Sequence, residues 1–210
     1  MLIQMWATCY PNNCFCESLH AGAIFQPVNM FSSLAFVVAG IFIAFRYKNS
    51  WGYIYALLLA IIGIGSAYYH ARLGFIGQTI DVAGMYLLVT FVLFAVFERT
   101  RKYFLAYFLA GNAVLISILI SVPTLRRYVF AVLVLVLVVT FWKQNLLNKY
   151  FWASLLIMVI ATAIWTLDIM SIWCWPDSYL QGHAIWHVLG AVSAVLLFKS
   201  IQPILLKEKI

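Results

Sequence analysis

The sequence predicts an all-α membrane protein with seven transmembrane helices. Its 210 residues are 66% hydrophobic and 9% charged, with a mean hydropathy of +1.00. This composition is typical of chains that lie in a bilayer. Apolar stretches near the ~20 residues that a spanning helix requires occur at roughly 28–46, 51–70, 79–97, 103–121, 128–142, 151–172 and 183–201.

The fifth stretch, YVFAVLVLVLVVTFW, is short and rich in valine, and its pattern would also suit a buried strand. A lone strand cannot satisfy its backbone hydrogen bonds in lipid, so we interpret this stretch as a helix. The fourth and fifth stretches contain few polar residues, and we interpret both as lipid-facing or acyl-facing scaffold.

The distribution of basic residues predicts the orientation, because cytoplasmic loops retain positive charge during insertion. With the N-terminus outside, only three of the 13 Lys and Arg residues, Arg72, Arg126 and Arg127, fall on outer segments. We therefore predict an outer N-terminus, in the periplasm or an organelle lumen, and a cytosolic C-terminus. The net charge of +7 follows from this bias and needs no nucleic-acid partner.

The chain is predicted to comprise an extramembrane segment (1–27), a seven-helix domain (28–201) and a short cytosolic tail (202–210). The first segment is rich in turn residues and resembles a small lid. It lacks the pattern of a signal peptide, so we expect the first helix to direct insertion. Short termini and loops favour a bacterial cytoplasmic membrane, with an ER or Golgi membrane as the alternative.

All four cysteines, Cys9, Cys14, Cys16 and Cys174, fall on segments predicted to lie outside the cytosol. Disulfides persist in such compartments, so we expect disulfides rather than a cysteine zinc site. Four cysteines allow three pairings, and their spacing alone does not select one.

Ionisable side chains inside the predicted spans indicate a functional site. A charged residue at a helix centre costs about 2.5–3.5 kcal/mol on insertion scales, so such residues usually mark a site. In the predicted orientation, these ionisable residues all lie towards the outer leaflet. The residues concerned are His70, Asp81, Asp168, His183 and His187, with Ser66 beside them.

The motif HAIWH places His183 and His187 at i and i+4, on one helical face. With His70 they could supply three nitrogen ligands, which describe a catalytic zinc site with an open fourth position. Nitrogen ligands favour zinc over magnesium or calcium. The alternative is that each imidazole bonds a neighbouring helix or lies at the interface.

A zinc-bound water is a nucleophile at neutral pH, and its proton requires a base. HAIWH lacks the glutamate of HExxH, so Asp81 is the nearest candidate base. Ser66 could stabilise the developing oxyanion. Asp81 could instead cap the third helix or support a histidine, and Ser66 could bond its own helix.

The spacing S-x3-H-x10-D of Ser66, His70 and Asp81, followed by HAIWH, resembles the alkaline ceramidase family of seven-helix zinc amidases. The adipoQ and progestin receptor group shares this plan. The resemblance implies zinc held by the three histidines, Asp81 as base and Ser66 as oxyanion stabiliser. The implied reaction cleaves the N-acyl bond of a ceramide-like membrane lipid, giving a sphingoid base or other amine and a fatty acid.

The N-terminal CFCESLHAGAIFQPVNM also resembles that family and implies a disulfide between Cys16 and Cys174. The family's calcium site has acidic or amide residues where this chain has Cys14, Leu19 and Gln26, so Glu17 is its only matching carboxylate and we predict no calcium. Val82 follows Asp81 where many relatives have glutamate.

Two other classes of function are compatible with seven helices. In a lipid receptor or sensor, the zinc ion would stabilise the structure and would not catalyse a reaction. A transporter is disfavoured because the polar residues cluster towards one face, without a broken pair of helices.

Simpler roles are predicted for several other residues near the outer face. His20 is predicted to be a solvated or lid residue rather than a fourth ligand, and Asp168 either supports a metal-bound histidine or makes a helix-end or loop hydrogen bond. An aromatic cluster is interpreted as an interfacial belt in which some members could line a lipid entrance: Trp173, Trp175, Tyr179 and Trp186.

Overall fold

The structure, a computed structural model, describes residues 15–97 and 103–205. Within these ranges seven helices are long and apolar enough to cross a membrane, which confirms the predicted all-α multi-pass fold. They are α1 (Pro27–Arg46), α2 (Ser50–Arg72), α3 (Phe75–Val96), α4 (Phe104–Ser121), α5 (Arg126–Lys143), α6 (Lys149–Ile169) and α7 (Gly182–Leu205). The valine-rich stretch is the helix α5, preceded by a 3-10 turn at Pro123–Leu125.

The start of α3 differs from the prediction. The helix begins at Phe75 rather than near 79, so Asp81 lies inside it and the interpretation of Asp81 as an N-cap is wrong. A Cβ on Gly77, in the first turn of this helix, would lie 2.8 Å from the Cα of Tyr69. This glycine therefore allows α3 to pack closely on α2.

The helix α2 packs between α1 and α3, α3 also packs on α4 and α5, and α7 closes the bundle by packing on both α6 and α1. Because the helices alternate in direction, α2 and α6 finish at the end where α3, α5 and α7 begin, here called the histidine end. The opposite end is filled by the apolar core, whose largest fully buried side chains include Tyr55, Phe91, Phe141 and Phe198.

The N-terminal segment from residue 15 to residue 26 folds over the histidine end. The backbone N–H groups of Phe25 and Gln26 donate to the carbonyl oxygens of Ala71 and His70 at the end of α2. A disulfide joins Cys16 to Cys174, with the two Cα atoms 5.3 Å apart, and confirms the pairing that the resemblance implied. Cys9 and Cys14 lie outside the described residues.

Candidate active site

Three histidines meet at the histidine end of the bundle. His70 comes from the last turn of α2, and His183 and His187 come from the first two turns of α7. All three side chains are buried, and one ring nitrogen of each lies within 4.8 Å of the others. The Nε2 atoms of His70 and His183 are 3.1 Å apart. The three residues predicted as metal ligands therefore form one cluster that could hold a metal ion.

Hydrogen bonds orient two of these rings. Nδ1 of His70 lies 2.8 Å from Oε1 of Gln26, an acceptor, so Nδ1 carries the proton and Nε2 the lone pair. Nδ1 of His187 lies 2.8 Å from Oγ of Ser32, which donates its own proton to the carbonyl oxygen of Asn29. Both histidines thus present an unprotonated Nε2, the form that binds a metal ion.

The ring of His183 is held by stacking instead. It lies between the ring of Phe15, at 3.8 Å between centroids, and that of Trp186, at 5.5 Å. The interplanar angles are 15° and 7°, so the three rings are nearly parallel. The Nδ1 of His183 is buried and has no hydrogen-bond partner among the described residues. Trp186, predicted as part of an interfacial belt, therefore fixes a member of the histidine cluster.

The donor set fits zinc. Tetrahedral nitrogen ligands at about 2.0–2.1 Å from zinc are about 3.3 Å apart, close to the 3.1 Å between the Nε2 atoms of His70 and His183. Three imidazoles favour zinc over magnesium and calcium, which prefer oxygen ligands. His20 is exposed and does not belong to the cluster.

Ser66 lies beside the cluster and is buried. Its Oγ is 3.3 Å from Nε2 of His187 and 3.1 Å from Oγ of Ser33 on α1. Ser66 also interacts with the carboxyl group of Asp81 on α3. Its contacts therefore connect α2 to α1, to α3 and to the histidine cluster.

Glycines allow the helices to approach each other around Ser66. A Cβ on Gly65 would lie 3.2 Å from the backbone nitrogen of Asp81 and 2.8 Å from Cγ2 of Ile80. A Cβ on Gly63 would lie 3.0 Å from the carbonyl oxygen of Ser33. The small-residue run GIGS thus brings α1 and α3 against α2 at the site, as such runs do in membrane helices.

Glu17 caps α1 from outside that helix. Its two carboxylate oxygens accept hydrogen bonds from the backbone N–H groups of Val28, at 2.7 Å, and Asn29, at 2.8 Å. Burial raises the pKa of Glu17 above its usual value, although these two hydrogen bonds oppose the shift. Capping α1 in this way fixes the turn that carries Asn29 and Ser32.

Asp168 has the same function for α7. It accepts hydrogen bonds from the backbone N–H groups of Cys16, at 3.0 Å, and His183, at 3.1 Å. Of its two interpretations, the helix-end hydrogen bond is confirmed. Asp168 therefore fixes the N-terminal segment and the first turn of α7 with one carboxylate.

A cavity of about 470 Å³ adjoins the cluster. Its polar wall includes Tyr69, Asp81 and His183, and most of the remaining lining is apolar side chains from α3, α5 and α6. A smaller apolar cavity of about 90 Å³ shares lining residues with it, including Met85 and Trp186, and lies among α3, α5, α6 and α7. The site thus opens onto a space suited to a long apolar chain.

The fold and the site define a multi-pass membrane protein with a buried centre of three histidines. The model of the ceramidase family matches residues 14–209, and the chain belongs to that family. No curated protein matches the chain. Membership implies a hydrolase with a lipid substrate, in agreement with the resemblance that the motifs carry.

Proposed function

We propose that the protein is a zinc-dependent membrane amidohydrolase. It cleaves the N-acyl bond of a ceramide-like lipid, releasing a sphingoid base or another amine and a fatty acid. One observation supports this proposal above all: Asp81 and His183, a member of the histidine cluster, line a largely apolar cavity, and Ser66 lies beside the same cluster, 3.3 Å from Nε2 of His187. Such an arrangement suits a lipid that contains one reactive polar bond.

His70, His183 and His187 would hold the zinc ion. When bound, zinc would supply hydroxide at neutral pH by lowering the pKa of a water molecule to about 7. Gln26 and Ser32 contribute by keeping the metal-facing nitrogens of His70 and His187 unprotonated.

Asp81 transfers the proton and Ser66 stabilises the negative charge that develops during the reaction. Asp81 accepts the proton of the attacking water as the new carbon–oxygen bond forms, and then returns it to the leaving nitrogen as the carbon–nitrogen bond breaks. The hydroxyl of Ser66 donates to the carbonyl oxygen as negative charge develops there. A single donor of this kind typically contributes about 2.7–4 kcal/mol.

The apolar cavities hold the acyl chain. Each methylene group transferred from water contributes about 0.8 kcal/mol. Part of this binding energy orients the carbonyl carbon near Ser66, so the lipid need not be recognised through many polar contacts.

The substitution Asp81→Asn tests the proposal. It preserves size but removes the base, and we expect hydrolysis of an N-acyl lipid to fall by about 10²–10⁴-fold while bound zinc is retained. Asp177→Asn is the matched control, because Asp177 is exposed and contacts Ser18 in the loops. A lipid receptor with structural zinc would bind lipid and zinc in all three proteins and hydrolyse nothing.

A further inference from the structure

Two arginines lie at the cavity beside the candidate active site. Arg126 and Arg127 begin α5 at the histidine end, and both line the cavity of about 470 Å³ together with Asp81 and His183. Among the described residues that line it, Asp81 is the one carboxylate. The cavity wall therefore carries more positive than negative charge even before a divalent cation is added.

Both arginines interact electrostatically with residues in or beside the candidate active site. Arg126 interacts electrostatically with Asp81 and Tyr69, and Arg127 with His183. The two cations are adjacent in sequence and repel each other. Since a guanidinium stays protonated, an anion beside both of them would relieve this repulsion.

Contacts with the protein position the backbone of Arg126 and the side chains of both arginines. The hydroxyl of Tyr86 donates to the carbonyl oxygen of Arg126 at 2.8 Å, and Nη1 of Arg126 donates to Pro123 at 3.2 Å. The guanidinium of Arg127 lies 4.9 Å from the centre of the Trp165 ring, and Trp165 also lines the cavity. Planar guanidinium groups held in this way match the geometry of a phosphate or a carboxylate.

We propose that Arg126 and Arg127 select an N-acyl lipid whose amine portion carries an anionic group close to the amide. This inference rests on the proposed function. The amide lies beside Ser66 and Asp81, the acyl chain lies among the apolar side chains, and the phosphate or carboxylate lies against the start of α5. A neutral ceramide would leave the two cations without this interaction.

An alternative is that the arginines only anchor α5 among lipid headgroups. In that case their removal would affect anionic and neutral substrates equally. Arg72 provides a matched control, because it is exposed at the histidine end and does not line the cavity.

The test compares kcat/KM for two matched pairs of lipids with purified, zinc-loaded full chain. One pair is ceramide and ceramide 1-phosphate, and the other is N-palmitoyl ethanolamine and N-palmitoyl glycine. We expect the anionic member of at least one pair to be preferred. Arg126→Gln and Arg127→Gln should each lower that preference about tenfold or more, because a hydrogen bond to a charged group contributes that much. Arg72→Gln should leave it unchanged, and the pair that responds distinguishes phosphate from carboxylate.

Equilibrium binding of the same lipids separates this inference from the proposed function. Hydrolysis without any charge preference, or a preference that survives both glutamine variants, would overturn the selection of anions and leave the hydrolase intact. Arginine-dependent binding of the anionic lipids without hydrolysis of any lipid would support the selection and overturn the hydrolase. If a glutamine variant fails to fold, Arg126→Lys and Arg127→Lys replace it. These variants keep the charge but lose the planar fork, and an undiminished preference in both would overturn the role of the guanidinium groups.

Discussion

The three histidines are held in different ways. His70 and His187 each donate a hydrogen bond through Nδ1, whereas His183 is stacked between two aromatic rings. Partners of this kind tune a metal ligand by fixing its tautomer and orientation. The partner of His70 is Gln26, a fully buried amide from the N-terminal segment.

Gln26→Ala is expected to weaken zinc binding by about 10–100-fold, the usual effect of removing a partner of a metal-bound histidine. Competition with a chromophoric chelator measures the affinity. Gln78→Ala is the control, since Gln78 is also buried at the histidine end but donates to Tyr69. Unaltered zinc affinity in a folded Gln26→Ala protein would show that the amide does not position His70.

The ionisable site residues could be predicted from sequence because charge is rare inside membrane spans. Gln26, Ser32 and Ser33 could not, since small polar residues have many ordinary places in membrane helices and turns. Their partners lie far away in sequence: Ser32 bonds His187, and Ser33 bonds Ser66. Only the packing of α1 against α2 and α7 brings them together.

At the scale of helices, α2 positions the site through its glycines. Hydropathy predicted all seven spans, but the start of α3 was placed too late. Gly77 lies in the first turn of this helix and packs closely against Tyr69 of α2, and hydropathy does not report such a contact.

Gly65→Ala is expected to lower the rate of hydrolysis by about 100-fold, because a misplacement near 1 Å has that effect. The added Cβ would press on Ile80 and on the backbone nitrogen of Asp81, so α3 must move away from Ser66. Gly111→Ala on α4 is the control, because its Cβ would meet only the Phe94 ring at 3.4 Å. Wild-type turnover in Gly65→Ala would contradict this role of close packing.

At the scale of the whole molecule, the two ends of the bundle differ. Aromatic and aliphatic side chains fill one end, while the polar site and its capping carboxylates occupy the other. Basic residues follow the same division, since the end opposite the histidines carries Arg46, Lys48, Lys143, Lys149 and Lys199. The positive-inside rule predicts that this end faces the cytosol.

The outer location of the site therefore stays a prediction with a direct test in a bacterial host. A fluorescent protein fused after residue 210 should fold and fluoresce, and alkaline phosphatase fused there should be inactive. The opposite pattern would place the C-terminus outside and the histidine cluster towards the cytosol.

The zinc content of the detergent-purified protein tests the central claim most directly. We expect about one zinc per chain, a sharp loss in folded His187→Ala, and no loss in His20→Ala, since His20 is exposed and outside the cluster. Absence of zinc from the wild-type protein despite supplied metal, or equal zinc in His187→Ala, would contradict the three-histidine metal centre and the hydrolase proposed from it.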